Sequence, residues 1–183
     1  MTSILIVYQS RTGFTEKYVN WIKERITCDT VRLDQIGNVD LKSYAKIIYG
    51  AGIHAGHIQG LKTFKKHVLN LVDDKMVIFA TGAAPYDEKI VTAIKQNNFS
   101  ENERQAVVFF YFQSGLNYEK MPFFDKLVMK TFSKVLARKK NKSEIEDGTS
   151  QAITQSHDHS NQEFIMPMID YLKQSKVNTS TST

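Results

Sequence analysis

Short, nearly continuous runs of apolar residues recur along the chain and predict buried β-strands. Residues 4–8, 46–51, 75–80 and 104–112 are rich in β-branched and aromatic side chains, and polar or glycine residues bound each run. Residues 30–36 form a weaker run of the same kind. Because the runs are continuous rather than alternating, both faces of each strand should be buried, which is typical of a parallel sheet.

Between the predicted strands, apolar residues recur at three- and four-residue spacing, which predicts amphipathic helices. The spacing is clear in residues 14–26, 61–71 and 90–94. Strands that alternate with helices form right-handed βαβ units, so we predict an α/β, doubly wound, five-stranded parallel sheet. A last amphipathic helix, in residues 164–172, should close the domain.

The length and composition fit one globular domain. The chain has 183 residues, of which 42% are apolar and 23% are charged, and this is enough to bury a single core. We assign residues 1–175 to that domain and residues 176–183 to a disordered tail rich in Ser and Thr. No apolar run approaches the ~20 residues of a membrane-spanning helix. No secretory signal is visible either, so we expect a cytoplasmic protein.

The positive charge of the protein is concentrated in one segment. Residues 114–145 contain eight Lys and Arg residues and three acidic residues, so they carry the whole formal net charge of +5. They belong to a predicted insertion, about residues 114–162, that follows the last strand. Within it, residues 121–140 should form an amphipathic helix whose basic stripe contacts a membrane or a partner protein. The alternative is a helix that packs on the domain and leaves its lysines in solvent. The stripe consists of Lys126, Lys130, Lys134 and Arg138.

The clearest chemical motif is a candidate phosphate-binding loop after the first predicted strand. Ligands of open parallel sheets bind at the carboxyl ends of the strands. Hydroxyl groups and backbone N–H groups at the start of a helix bind phosphate, because the helix dipole is positive there. The alternative is that Ser10 and Thr12 only cap the helix. The loop consists of Ser10, Arg11, Thr12, Gly13, Phe14 and Thr15.

This loop matches the flavodoxin motif Ser/Thr-x-Thr-Gly-x-Thr at every specified position, so the chain resembles the flavodoxins. The resemblance implies non-covalent binding of FMN, a strand order of 2-1-3-4-5, and a phosphate held by residues 10–15. It also implies a flavin ring between the loops after the third and fourth strands, beside the loop after the fifth. Tyr86 is the candidate to stack on the ring, and its alternative role is packing within the turn. The implied ring contacts are Ala51, Gly52, Ile53, His54, Ala55, Gly56, Thr81, Gly82, Ala83, Tyr86 and Gly115.

A narrower resemblance extends over more of the chain. Residues 50–57, 64–67 and 123–130 are similar to segments of the menaquinone-dependent protoporphyrinogen IX dehydrogenases, flavodoxin-fold enzymes of haem synthesis. The resemblance implies an oxidoreductase that passes electrons from a porphyrinogen through FMN to a quinone, with a site at the inner face of the membrane. His54 and His57 are then candidate catalytic residues, because an imidazole exchanges protons near neutral pH. Their alternative role is that of solvent-facing loop residues.

Two other functions stay open on the sequence alone. The chain could be a flavodoxin-like carrier of single electrons, or a non-catalytic module whose basic segment binds an anionic surface. The enzyme is favoured because residues 51–59 include no acidic side chain and should hold a reduced, anionic flavin without repulsion. Residues 50–55 also fit the pattern Gly-x-Gly-x-x-Ala of nicotinamide sites loosely, but no helix follows them promptly. We predict no metal site and no nucleic-acid partner.

Overall fold

A parallel sheet lies at the centre of the computed structural model, which describes residues 4–68, 76–117, 119–121, 126 and 155–179. In chain order the strands are β1 (Ile4–Gln9), β2 (Asp29–Arg32), β3 (Lys46–His54), β4 (His57–Ile58), β5 (Val77–Gly82), β6 (Val108–Gln113), β7 (Gly115–Leu116) and β8 (His157–Asp158). The main sheet has the order β2-β1-β3-β5-β6, and each adjacent pair in it is parallel. Counting only these five strands, the order is 2-1-3-4-5, which confirms the predicted topology.

Helices cover both faces of this sheet. They are α1 (Phe14–Arg25), α2 (Leu61–Val68), α3 (Glu88–Asn98), α4 (Glu101–Ala106) and α5 (Met166–Thr179). Short 3₁₀ helices span Leu33–Asn38, Leu41–Ser43 and Gln162–Ile165.

Alternate residues of the strands enter two separate cores. In β1, Leu5 and Val7 belong to the core that α2 and α3 cover, whereas Ile4 and Ile6 belong to the core that α1 and α5 cover. Both faces of the strand are therefore buried, which is why its apolar run is continuous. The predicted last helix is confirmed, and it closes the second core with three buried side chains. These are Met168, Ile169 and Leu172.

The predicted strand of residues 104–112 is wrong at its start, because α4 continues to Ala106 and β6 begins at Val108. A capping box begins this helix. The Glu103 N–H donates to Ser100 Oγ (3.4 Å), and the Ser100 N–H donates to Glu103 Oε2 (2.7 Å). The box satisfies backbone donors at the helix start, so the helix is locally favoured up to the apolar run.

Two further predicted boundaries are corrected. The weak strand of residues 30–36 ends at Arg32, and a 3₁₀ helix follows that buries Ile36 in the core. The tail predicted to be disordered from residue 176 is helical as far as Thr179, because α5 runs that far. Residues 180–183 lie outside the described residues.

The two ends of the predicted insertion lie side by side. β7 and β8 pair antiparallel, with Gly115 opposite Asp158. Lys17 of α1 holds this pair through an ion pair of 2.7 Å between its Nζ and Asp158 Oδ2. The Tyr18 hydroxyl donates to the Gln113 carbonyl and accepts from the Asn161 N–H (3.3 Å). The insertion therefore leaves and rejoins the domain at one place, against α1.

Little of the predicted basic helix falls within the described residues. Met121 lies in a bend, so the helix predicted for residues 121–140 does not begin there, while Lys126 is helical. Lys126 Nζ donates to the Glu119 carbonyl (2.8 Å). In the described part of the chain, no helix combines the length and the apolar character that crossing a bilayer requires. The other basic residues of the stripe, Lys130, Lys134 and Arg138, lie outside the described residues.

Candidate functional site

A cavity of about 330 Å³ opens at the carboxyl edge of the sheet. The loops after β1, β3, β5 and β6 form its walls, where ligands of open parallel sheets bind. Among the predicted cofactor contacts, those that line it are Arg11, Thr12, Phe14, Thr15, Gly52, Ile53, His54, Ala55, Thr81, Gly82, Ala83 and Gly115. Residues outside that prediction also line it, namely Gln59, Ser114, Leu116, Asn117 and Met121.

The other predicted contacts lie near this cavity but not in its lining. Ser10 lines a neighbouring cavity of about 270 Å³, whose wall shares Arg11 with the first. Tyr86 is 65% exposed, and its ring centroid lies 6.5 Å from that of Tyr111. A stacking role for Tyr86 therefore stays a prediction. Gly13, Ala51, Gly56 and His57 are likewise placed outside the lining.

The predicted phosphate loop joins β1 to α1 and turns at a residue that must be glycine. Gly13 is the residue before the helix and has a φ of 95°, in the left-handed region that disfavours a Cβ. Ser10 Oγ accepts from the Glu16 N–H (3.3 Å), so the capping role considered for Ser10 is present. Thr12 instead lines the cavity. The loop thus brings two hydroxyl side chains, those of Thr12 and Thr15, and the start of a helix to the cavity wall.

Two buried threonines join this loop to β5, the second strand along the sheet from β1. Thr15 and Thr81 are 2% and 3% exposed, and their Oγ1 atoms lie 2.9 Å apart in a hydrogen bond. Gly52 lies beside them, since a Cβ built on it would be 3.9 Å from Thr15 Oγ1 and 3.8 Å from Thr81 Oγ1. It would also be 3.7 Å from Gln59 Oε1. The floor of the cavity is therefore polar and can form hydrogen bonds with a ligand.

A tight hairpin between β3 and β4 forms another wall. Its central residues, Ala55 and Gly56, have φ values of 47° and 78°, as in the two-residue turns that suit twisted hairpins. His54 and His57 face each other across the turn in the antiparallel pairing. Both histidines are exposed, but only His54 lines the cavity, so the structure separates the two candidate catalytic residues.

The loop after β5 is held from both ends. Asp87 caps α3, and its Oδ1 accepts from the N–H groups of Lys89 (2.7 Å) and Ile90 (3.3 Å). The Tyr111 hydroxyl donates to the Ala84 carbonyl (2.5 Å), and burial raises the pKa of this tyrosine to about 12. The Asp87 carboxylate is therefore directed to a helix start and does not line the cavity.

The described residues that line the cavity include a cation and no carboxylate. Among the described residues, no Asp or Glu lines it, whereas Arg11 does. A second cation lies close by, because a Cβ built on Gly13 would be 4.0 Å from Lys120 Nζ. The loop that carries Lys120 is ordered by a bond of 3.1 Å from the Lys120 N–H to Asn117 Oδ1. The electrostatics of the cavity therefore favour an anionic ligand.

Gly50 and Gly52, which suggested a nicotinamide-binding loop, lie within β3 itself. A Cβ on Gly50 would be 2.0 Å from the Phe79 ring. Gly50 is thus required for packing between β3 and β5. This packing explains the first glycine of the loose dinucleotide pattern.

Comparison with known proteins identifies one family. A family model described as "Flavodoxin domain" matches residues 5–143. No curated protein matches the chain. Similar solved structures include a flavodoxin, WrbA-like protein from Agrobacterium tumefaciens, with 17% identity over 61% of this chain and 83% of that chain, at a TM-score of 0.43. A flavoprotein from Lactobacillus acidophilus, crystallised with FMN, has 17% identity over 62% of this chain and 93% of that chain, at a TM-score of 0.44. A flavodoxin from the domain Archaea has 12% identity over 56% of this chain and 89% of that chain, at a TM-score of 0.38.

The family match covers most of the chain, and the chain belongs to the flavodoxin family. FMN is the cofactor of this family, and the donor set of the cavity fits it. A phosphate requires N–H and hydroxyl donors with positive charge nearby, and the cavity offers Thr12, Arg11 and the start of α1. A flavin ring requires apolar neighbours, and Ile53, Leu116 and Met121 line the same cavity.

Proposed function

We propose that the protein is an FMN-dependent oxidoreductase that removes electrons from an organic substrate in pairs and delivers them to a quinone. A general redox function follows from membership of the flavodoxin family. The choice of an enzyme over a carrier of single electrons depends on the chemistry of the cavity. Bound FMN supplies the ability to accept one or two electrons reversibly.

The observation that carries this proposal is the absence of carboxylates from the described cavity lining. A carboxylate beside the ring would repel the negative charge that arises on full reduction, and would make the second electron harder to add. A lining with Arg11 and no Asp or Glu leaves that charge without repulsion. Full reduction is therefore accessible at moderate potential, as two-electron oxidation of a substrate requires.

His54 is the candidate proton acceptor for this reaction. Removal of two electrons from a reduced N–H or C–H substrate also releases protons, and a base must accept them. His54 lines the cavity at its exposed mouth, where a substrate would arrive, whereas His57 lies on the far side of the turn. We assign the proton-accepting role to His54 alone.

Protoporphyrinogen is the substrate class that we propose. The sequence similarity to the menaquinone-dependent enzymes includes residues 50–57, which form the end of β3 and the hairpin at the cavity. The similar segment of residues 64–67 is explained in part by packing. Phe64 is buried, and its ring centroid lies 4.5 Å from that of Tyr49 in a stacked pair. The hairpin is the part that bears on substrate. Each cycle would transfer two electrons and two protons from the porphyrinogen to the quinone, giving a quinol.

The test is anaerobic mixing of the FMN-loaded protein with protoporphyrinogen IX. We expect the flavin absorbance to bleach on mixing, and we expect His54→Gln to slow the bleaching at least tenfold. Porphyrin fluorescence should appear only after a quinone is added, because the porphyrinogen must lose six electrons, which takes three two-electron cycles. His57→Gln is the matched control and should react at the wild-type rate. A flavin that dithionite reduces but the porphyrinogen does not would contradict the proposed substrate. Equal rates for the two histidine variants would contradict the role of His54.

A further inference from the structure

Asn98, the last residue of α3, contacts the cavity-lining hairpin although it lies far from it in sequence. Its side chain is half-buried. Its Oδ1 accepts from the Ile58 N–H (2.8 Å), and its Nδ2 donates to the Gly56 carbonyl (2.9 Å). Nδ2 also donates to the Ile94 carbonyl in the last turn of α3 (2.7 Å). One amide therefore joins the end of a helix to the second central residue of the turn and to the strand that follows it.

The orientation of this amide is determined by its partners. Oδ1 faces an N–H group, and Nδ2 faces two carbonyl groups, so the opposite orientation would place like groups together at all three contacts. The other described ties of the hairpin are few. They include the pairing of Ile53 with Ile58 and of His54 with His57, a bond of 3.0 Å from the Gln59 N–H to the Gly52 carbonyl, and one of 2.6 Å from the Tyr49 hydroxyl to the Gln59 carbonyl.

The hairpin needs such an anchor because its turn is strained. Ala55 has a φ of 47°, in the left-handed region, where its Cβ crowds the backbone. A strained turn persists where surrounding contacts fix it. Asn98 fixes Gly56 within the turn and Ile58 just after it. His54 and Ala55, which immediately precede Gly56, line the cavity.

We infer that Asn98 is a positioning residue that holds the His54–Ala55–Gly56–His57 turn against the flavin ring. The inference rests on the proposed binding of FMN in this cavity. Asn98 acts on the ring side of the site, whereas Thr12 and Arg11 act on the phosphate side. Loss of the Asn98 bonds therefore weakens binding of any ligand that carries the ring, whether or not it carries the phosphate.

The experiment compares FMN with riboflavin, which has the same ring and no phosphate. Asn98→Asp keeps an acceptor for the Ile58 N–H but places a second oxygen against the Gly56 carbonyl. Asn98→Ala removes both bonds to the hairpin, those with Ile58 and Gly56. We expect the dissociation constants for FMN and riboflavin to rise by the same factor, about fivefold to tenfold, in both variants. The visible circular dichroism of the bound flavin should change as well, because it reports the surroundings of the ring.

A second measurement uses the protein without flavin, and a control variant separates positioning from stability. In Asn98→Ala, amide hydrogen exchange at Ile58 should be about tenfold faster. Ser100→Ala removes the cap of α4 but leaves the hairpin bonds intact, and it should change neither the dissociation constants nor exchange at Ile58. Unchanged riboflavin affinity in both Asn98 variants would overturn the inference. A wild-type protein that binds neither flavin would overturn the proposed function instead.

Discussion

At the scale of single residues, the site depends on polar side chains that contact each other before any ligand arrives. Thr15, the last residue of the phosphate motif, directs its hydroxyl to Thr81 inside the protein. The sequence motif places this hydroxyl with the phosphate contacts, and the sequence alone does not show the partner because Thr81 is distant along the chain. The last hydroxyl of the motif therefore joins the start of α1 to β5.

We predict that Thr15→Val lowers the free energy of unfolding by about 1–3 kcal/mol, because it leaves the buried Thr81 hydroxyl without its partner. The double variant Thr15→Val/Thr81→Val should cost less than the sum of the single variants. Urea denaturation of the flavin-free protein measures all three. Thr12→Val, at a position that lines the cavity, is the control and should stay within about 0.5 kcal/mol of wild type. Additive costs in the double variant would contradict the Thr15–Thr81 bond.

Lys120 is the residue that sequence reasoning missed on the phosphate side. Its ammonium lies near Gly13, although the residue itself comes from the start of the insertion. We predict that Lys120→Gln raises the dissociation constant for FMN about fivefold at low salt and leaves that for riboflavin unchanged, because riboflavin has no phosphate. Lys66→Gln, on the exposed side of α2, should change neither. Equal losses for both flavins in Lys120→Gln would place the lysine elsewhere than at the phosphate.

At the scale of elements, the sequence predicts the sheet well because each strand is buried on both faces and so reads as a continuous apolar run. The prediction is wrong where a helical segment leads into an apolar run without a turn between them. Arg104 is helical although it lies only a few residues before the apolar run of β6. The Ser100 and Glu103 capping box is a signal that could have found α4. The β3–β4 hairpin had no such signal, because its turn uses Ala55 rather than the Asn or Asp usual before glycine.

The candidate site also has a part that the sequence predicts and a part that it does not. The phosphate loop is local in sequence and could be predicted from its motif. The roles of Asn98, Lys120 and Met121 could not, because each comes to the site from an element that is distant along the chain. Tyr86 has the residue type of a ring-stacking side chain, but its loop leaves it exposed and outside the cavity lining.

The contact between β8 and α1 gives a pH-dependent prediction. Partial burial acts to raise the pKa of Asp158, but hydrogen bonds from Lys17 and Ser160 outweigh it and lower the pKa from 3.8 to about 2. A carboxylate with a lowered pKa stabilises the folded state above pH 3.8, and that contribution disappears as the pH falls to about 2. The side chain is 46% exposed, so the contribution at neutral pH should be below about 1 kcal/mol.

We therefore predict that wild type is slightly more stable than Asp158→Asn at neutral pH, and that the difference vanishes between pH 3.8 and about 2. Thermal unfolding across this range measures it. Asp34→Asn, which alters an exposed carboxylate 3.7 Å from Arg32, should give no such pH-dependent difference. A difference between wild type and Asp158→Asn that grows toward low pH would contradict the ion pair.

At the scale of the whole molecule, the formal net charge of +5 is concentrated in residues 114–145, the first part of the insertion, and the rest of the chain has no net charge. The insertion leaves the domain at the cavity mouth, where Leu116, Asn117 and Met121 line the cavity. We propose that it brings the flavin to an anionic membrane surface, where a quinone acceptor would be dissolved. This proposal concerns the basic stripe, of which only Lys126 falls within the described residues.

We predict that the protein sediments with vesicles that contain anionic lipid, that added salt reduces this binding, and that the triple variant Lys126→Gln/Lys130→Gln/Lys134→Gln loses most of it. Each basic residue near such a surface contributes about 1 kcal/mol. The matched control replaces three exposed lysines elsewhere on the domain, Lys42, Lys62 and Lys89, with Gln. Equal sedimentation of the two triple variants and wild type at low salt would contradict membrane docking.

We propose that the flavin transfers electrons in pairs because the described residues of the cavity lining include no carboxylate. Ala55→Asp tests the electrostatic reason directly, since it adds a carboxylate to the lining at a backbone conformation that Asp tolerates. Ala55→Asn adds the same volume without the charge. The second one-electron step should be more negative in the Ala55→Asp variant than in the Ala55→Asn variant.

Potentiometric titration of the FMN-loaded wild-type protein is the most direct measurement. We predict two one-electron reduction potentials so close together that the flavin is reduced in a single two-electron transition at moderate potential. Two widely separated steps, with a very negative second step, would contradict it and would identify the protein as a carrier of single electrons.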